Sequence, residues 1–151
     1  MKVVFWGTYD TGKPRNRILI RGLKENGVEL TECHVHLWKG VKDKSQLKLH
    51  QKVIVVLKWL LSYPGLVLRY LFLPRHDLVL IGYLGHLDVI VLWPFTRLRG
   101  TKIIWDAFLS LHDTVVSDRL IVPDNGLAGK FLYLWESIAC RLADRVSLDT
   151  E

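Results

Sequence analysis

A doubly wound α/β fold, with helices flanking a mostly parallel sheet, is predicted by three features of the sequence. Apolar runs of strand length alternate with segments of helical periodicity from one end of the chain to the other. The runs are nearly continuous in Val, Ile, Leu and Trp, as strands covered on both faces have to be. Several stop at a glycine or an acidic residue, among them Gly7, Gly82 and Asp106, where a strand gives way to a loop. Together they describe one Rossmann-like domain spanning residues 1–151.

Taken in order, Val3, Val4, Phe5 and Trp6 form a first strand that ends at Gly7. The polar loop TYDTGKP, residues 8–14, breaks regular structure. Residues 15–26 then place Ile18, Leu19 and Leu23 at helical spacing, with Gly27 where a helix-terminating glycine belongs. Residues 28–35 alternate enough to form a second strand, completing a βαβ unit with a right-handed crossover. Residues 42–61 predict a long helix, and Ser62, Tyr63, Pro64 and Gly65 predict a turn. DLVLIG, residues 77–82, is a third strand, followed by a helix over residues 86–92. TKIIW, residues 101–105, is a fourth, with Asp106 immediately beyond its carboxyl end. A polar loop runs to about residue 124, an amphipathic helix covers residues 127–142, and residues 145–148 begin a fifth strand.

Half of the residues are hydrophobic and 24% are charged, so the chain can bury a core and is not disordered. The net charge of +6 favours an anionic partner: a phosphorylated ligand, acidic lipid headgroups or nucleic acid. No nucleic-acid-binding motif accompanies the charge, so nucleic acid is not expected as a partner. Cys33 and Cys140 match no metal spacing and read as buried free thiols of a reducing compartment. Too few apolar residues precede Gly7 to make a signal-peptide core of roughly 7–15, so a cytoplasmic chain is expected.

Residues 53–72, VIVVLKWLLSYPGLVLRYLF, are the candidate membrane span. Lys58 and Arg69 interrupt the run and Pro64-Gly65 divides it, so two short apolar helices are expected instead of a crossing helix. Lys44, Lys48 and Lys52 share one helical face, with apolar residues opposite and Trp59 and Tyr63 near the end. That pattern suits a helix lying on an anionic membrane surface, with Lys48, Lys52, Lys58, Trp59 and Arg69 as the contacts. A core helix with a solvated lysine face explains the lysines equally well, and the aromatic stretch less well.

Ligands of open α/β sheets bind beyond the carboxyl ends of the strands, which points to residues 7–14, 82–86 and 106–119. The first loop lacks both the G-x-G-x-x-G and the P-loop spacing, although Gly7 permits close backbone approach and the following helix offers N–H donors to an anion. The third, WDAFLSLHDTVVSDR, is dense in Asp106, Ser110, His112, Asp113, Thr114, Asp118 and Arg119. Carboxylates in such a loop orient sugar hydroxyls, accept a proton or hold a cation. Helix capping by Asp113 or Thr114 and a surface Asp118–Arg119 pair are the structural alternatives. Ser110, His112 and Asp113 lack the G-x-S-x-G elbow of a hydrolase. His34 and His36 have no further ligands that would make a metal site.

The order of elements, with residues 3–30, 77–89, 103–119 (IIWDAFLSLHDTVVSDR) and 143–150 (ADRVSLDT), resembles the N-terminal, acceptor-binding domain of GT-B fold family 4 retaining glycosyltransferases. The resemblance covers essentially the whole chain. It implies the N-terminal half of a GT-B fold, with the nucleotide-sugar donor, a UDP- or GDP-sugar, held by a second, C-terminal domain that this sequence does not contain. It implies that Gly7, Thr8 and Gly12 face the donor phosphates and that His86, Ser110, Asp118 and Arg119 contact the acceptor. Asp106 stands where many members carry a histidine at the reacting sugars, so Asp106, with His112 and Asp113 beside it, is the candidate catalytic group. The expected activity is sugar transfer to a lipid-linked or cell-surface glycan precursor at the inner face of the membrane, by the two halves together and not by this chain alone. No metal or cofactor is expected in this chain. A membrane-associated scaffold without catalysis and a flavodoxin-like nucleotide-binding protein are the competing readings.

Overall fold

The computed structural model describes residues 1–36, 49–118 and 126–149. Five strands, Lys2–Gly7 (β1), Glu29–His34 (β2), Leu78–Ile81 (β3), Lys102–Phe108 (β4) and Arg145–Leu148 (β5), form one sheet. Every pairing is parallel and the order is β2-β1-β3-β4-β5. Pro14–Glu25 (α1) connects β1 to β2, and Leu49–Leu71 (α2), His86–Arg99 (α3) and Leu127–Leu142 (α4) precede β3, β4 and β5 in turn. The predicted Rossmann-like α/β architecture is the one observed.

Strand residues alternate between two apolar layers. Val4, Trp6, Val79, Ile81, Ile103 and Trp105 pack with Tyr63, Leu66 and Tyr70 of α2, Val89 and Leu92 of α3 and Ala139 of α4. Val3, Phe5 and Leu80 face the other way, onto Leu19 and Leu23 of α1. A right-handed crossover that reverses direction along the sheet puts its helix on the opposite face, so α1 lies alone across from α2, α3 and α4.

Three expected element boundaries, and the burial of one cysteine, need correction. The apolar stretch is one continuous helix, α2, and not two helices parted by a turn at residues 62–65. Pro64 removes one backbone donor at a cost of about 3 kcal/mol. Tyr63, Leu66 and Tyr70 are all buried, and each such side chain contributes about 1.5–3 kcal/mol, so tertiary packing outweighs the proline. The start proposed for this helix, residues 42–48, lies outside the described residues. Its last carbonyls are closed by Arg99, whose Nη1 donates to Tyr70 O and Leu71 O at 2.8 and 3.0 Å. Next, α3 extends to Arg99, seven residues beyond expectation and past Pro94, for the same reason: Val89, Leu92 and Thr96 are buried along it. Finally, β4 runs on to Phe108, so Asp106 lies within the strand, paired with Ser147 of β5. Cys33 is buried as expected, whereas Cys140 is on the exposed side of α4.

By length and composition residues Val53–Leu71 of α2 are apolar enough to cross a membrane, and 17% of that window is buried. The inward side of the same helix packs into the core of the sheet. Its outward side leaves Val53, Ile54, Leu57, Leu60, Leu61 and Leu68 exposed.

Candidate functional site

The strand order reverses between β1 and β3, and the loops that leave those two strands part at the carboxyl edge of the sheet. A cleft of about 300 Å³ opens there. Thr8, Tyr9 and Asp10 come from the loop after β1, Asn16 from α1, and Tyr83, Leu84, His86 and Asp88 from the β3–α3 junction. Val55, Val56 and Trp59 of α2 and Leu111 and Trp135 supply the apolar walls.

Its back wall is a buried hydrogen-bond chain. The Trp59 indole N–H donates to Thr8 Oγ1 at 2.9 Å, and Thr8 Oγ1 donates to Asp88 Oδ1 at 3.0 Å. The Thr8 backbone N–H reaches Asp88 Oδ2 at 2.8 Å, and the Tyr63 hydroxyl donates to Asp88 Oδ1 at 2.7 Å. One carboxyl thereby ties the β1 loop, α2 and α3 together. Burial pushes the Asp88 carboxyl above the ordinary carboxylate range, against the three donors that favour its charged form. Burial beside Asp88 also raises the Tyr63 phenol well above its ordinary value, so it stays a donor. Gly7 makes this possible. Its φ is +130°, and the Asp88 carboxylate fills the space that a Cβ at position 7 would need.

The expected phosphate-facing loop has its amides turned inward. Thr8 N–H is held by Asp88, Gly12 N–H donates to Asp10 Oδ1 at 2.9 Å, and Lys13 N–H donates to Asp10 O at 3.1 Å. Two carboxylates and one backbone carbonyl occupy the positions from which phosphate oxygens would accept, so these three amides do not form an anion cradle.

His86, expected to contact the acceptor, begins α3 and lines the cleft at 2% exposure. Its ring packs edge-on against Trp105, with centroids 4.7 Å apart. Nε2 has no hydrogen-bond partner, and Glu136 Oε1 is 4.0 Å away, beyond hydrogen-bond reach. A hydrogen bond to the Leu84 backbone therefore falls to Nδ1–H and leaves Nε2 as an acceptor in the neutral ring. Burial lowers the imidazole pKa, and the nearby Glu136 only partly opposes this. Asn16, at 1% exposure, donates through Nδ2 to Asp10 O at 2.9 Å, and its Oδ1 is also without a partner. Gly82 makes room for it: a Cβ there would lie 2.9 Å from Asn16 Oδ1.

The polar loop after β4 is largely structural. Ser110 Oγ donates to Glu136 Oε2 at 3.0 Å and accepts from the Asp113 backbone N–H at 3.0 Å, while Thr114 Oγ1 donates to Ser110 O at 2.8 Å. Glu136 also accepts the N–H groups of Leu111 and His112 at 3.1 and 2.9 Å. Ser110 and Glu136 thus cap the short π-helical segment Asp113–Asp118, work that the sequence had suggested for Asp113 or Thr114. His112 Nδ1 lies 3.4 Å from Asp113 Oδ1, whose side chain is exposed, and neither residue lines the cleft. Arg119 and the side chain of Asp118 lie outside the described residues.

Asp106 is buried and clamped by Arg15. Arg15 Nε donates to Oδ2 at 2.8 Å and Nη2 to Oδ1 at 2.7 Å, a two-point pairing that takes up both carboxylate oxygens. The guanidinium lies 4.3 Å from the Phe108 ring centroid and 3.5 Å from Asp149 Oδ2, and its pairing with Asp106 raises its own pKa. Asp106, expected to be the catalytic group, does not line the cleft, and both of its oxygens accept from Arg15.

Of the expected membrane contacts, Lys58 and Arg69 are exposed on α2, and Arg69 Nη1 donates to His34 O at 3.2 Å. Trp59 is half-buried and turned into the cleft wall. Lys48 and the side chain of Lys52 lie outside the described residues. His34 Nε2 is 3.3 Å from His36 Nδ1, and among the described residues no group of three or more His, Cys, Asp or Glu is arranged for a metal.

Sequence reasoning did not identify Asp88, Asn16, Tyr63, Glu136 or Arg15. The visible signal was Asp88 in HLDVIVLW, a lone carboxylate at the start of an otherwise apolar helix, which has to find partners if it is buried. Tyr63, Glu136 and Arg15 depend on contacts between elements far apart in sequence. Compared with known proteins, the chain matches no protein-family profile, no curated protein and no solved structure.

Proposed function

We propose that this chain is the acceptor-binding half of a glycosyltransferase that moves a sugar from a nucleotide-sugar donor to a lipid-linked glycan precursor. The observation that carries the reading is the cleft at the β1/β3 switch point, where a polar floor meets walls of Val55, Val56, Trp59 and Trp135. A ligand with a hydroxylated head and a hydrocarbon tail matches both surfaces. The exposed apolar side of α2 continues from that wall, with Lys58 and Arg69 exposed on the same helix, and suits the surface of an anionic bilayer. The inward-turned amides of the loop after β1 fit a domain that does not itself hold the donor phosphates. On this reading a second Rossmann-like unit, in the same polypeptide or another, binds the UDP- or GDP-sugar.

The test uses the tryptophans of the cleft. A polyprenyl-pyrophosphate-linked N-acetylglucosamine in mixed micelles is expected to quench emission saturably, and Trp59→Phe with Trp135→Phe to remove the response. UDP- and GDP-sugars are expected to leave it unchanged. Saturable quenching by the sugar nucleotides alone would overturn the reading.

The strand order β2-β1-β3-β4-β5 is also that of flavodoxin-like proteins, which favours a second reading as a nucleotide-binding protein. Flavin mononucleotide bound with its fluorescence quenched would support it.

A further inference from the structure

The helix α4 is apolar on two sides. Gly129 and Ala139 turn to the core, and Leu142 packs against it. Leu127, Phe131, Leu134 and Ile138 follow at spacings of four, three and four, which aligns them along the outward side, and all four are exposed. A surface helix ordinarily turns a polar face to water, so an apolar outward side is a surface without its partner. The outward side of α2, in the same layer, has the same character. Across the sheet, α1 differs: Ile18 is exposed there among Arg17, Arg21, Lys24 and Glu25. The exposed apolar surface is thus gathered on one side of the molecule, which scattered surface residues do not explain.

The charges on that side have one sign. α2 contains no acidic residue. The carboxylates of α3 and α4 turn inward: Asp88 is buried, and Glu136 accepts from Ser110, Leu111 and His112. Among the described residues, the exposed charged side chains of these three helices are Lys58, Arg69, Arg97, Lys130 and Arg141. Arg97 alone of these is paired with a carboxylate among the described residues, that of Asp144. A second copy docked face to face would set these cations against one another, with no exposed carboxylate on the helices to meet them. Acidic lipid headgroups supply the missing sign, and acyl chains supply the apolar contact.

We propose that α4 is a second membrane-docking helix, so that the chain rests on an anionic bilayer through the outward sides of α2 and α4 together. Leu127 and Leu134 enter the boundary between headgroups and acyl chains, and Lys130 and Arg141 meet the lipid phosphates. This rests on the bilayer-facing reading of α2 above and deepens it. A domain held by one helix is free to roll about that helix. α3 packs against both α2 and α4, so contact through the outer two fixes the tilt of the whole layer. Trp59 of α2 and Trp135 of α4 wall the same cleft, which two-helix docking therefore holds beside the headgroups.

The experiment measures sedimentation of the chain with phosphatidylglycerol vesicles that contain no glycan lipid. Leu127→Gln with Leu134→Gln keeps the net charge and alters two exposed positions, so the melting temperature should stay nearly unchanged while partitioning falls about tenfold or more. Lys130→Ser with Arg141→Ser should weaken partitioning roughly tenfold. Arg17→Ser with Arg21→Ser removes the same charge from the α1 side and should leave it nearly unchanged. Equal losses from the two charge pairs would mean that net charge, not this face, binds the bilayer, and would overturn the proposal. So would native partitioning by the glutamine variant, no vesicle binding by the native chain, or a dimer in sedimentation velocity that the glutamine variant dissolves. Vesicle binding indifferent to α4, alongside saturable quenching by the polyprenyl-linked acceptor, sinks this inference and leaves the acceptor reading standing. Vesicle binding that depends on α4, without any response to that acceptor, does the reverse.

Discussion

Tyr63 Oη donates a 2.7 Å hydrogen bond to Asp88 Oδ1, joining the middle of α2 to the first turn of α3 through a carboxyl group that is 2% exposed. The same carboxyl receives both the backbone and the side-chain donor of Thr8, so it sets the position of the loop that forms one lip of the cleft. Asp88 is therefore a positioning residue, acting on the cleft through Thr8 and Trp59.

Removing Asp88 should cost more than removing any one of its partners. Tyr63→Phe deletes one donor and is expected to lower stability by about 1–2 kcal/mol. Asp88→Ala strands three buried donors and is expected to cost about 3 kcal/mol or more. In the double variant the two losses should fall well short of adding, as measured by urea denaturation, because both report one network. Additive losses would contradict the network.

The Arg15–Asp106 pair makes an asymmetric prediction. The Asp106 side chain is 6% exposed and that of Arg15 is 30% exposed. Arg15→Ala leaves a buried carboxylate without its partner and is expected to cost about 3 kcal/mol. Asp106→Ala leaves an arginine that reaches solvent and Asp149, and is expected to cost about half as much. Thermal unfolding of the two variants decides the order, and the reverse order would contradict the clamp.

Histidine burial sets a dependence on pH. Burial pushes the imidazoles of His34, His76 and His86 below their ordinary value near 6.5. The unfolded chain takes up protons there as pH falls, while the folded chain resists. Stability is thus fully present above about pH 6.5 and is lost as pH drops below it. His86→Phe is expected to flatten this loss by up to about 1.4 kcal/mol per pH unit across its share of the window. Urea titrations at pH 7.5 and 5.5 measure it, and an unchanged slope would remove His86 as a contributor.

The outward side of α2 is expected to bind anionic vesicles. Leu60 and Leu61 are 48% and 75% exposed, so Leu60→Asp with Leu61→Asp should leave the melting temperature nearly unchanged. Partitioning onto phosphatidylglycerol vesicles in a sedimentation assay should fall at least tenfold, and added salt should weaken the native chain's binding. Equal partitioning of variant and native chain would dissociate α2 from the membrane.

The fold was legible because it is written in local pattern. Strands buried on both faces read as apolar runs, and α4 and β5 have the boundaries that periodicity assigns them. The miss at α2 came from Pro64, whose local preference was overridden by the burial of Tyr63, Leu66 and Tyr70. The site was legible only in part. The carboxyl-edge rule pointed to His86 and Thr8, which line the cleft, and to Asp106, which lies outside it and is paired with Arg15, 91 residues away. In the polar-dense loop, likewise, Ser110 is engaged in capping a turn with Glu136. Long-range pairing decides whether a polar side chain is free, and spacing in the sequence does not report it.

The most direct test of the proposed acceptor-binding role of the cleft is a crystal structure of the chain with a polyprenyl-pyrophosphate-linked N-acetylglucosamine. The sugar is expected at the β1/β3 switch point, among Thr8, Trp59, His86 and Trp135, with the lipid leaving along α2. Sugar density elsewhere, or a sugar nucleotide seated in that cleft with its phosphates on the loop after β1, would contradict it.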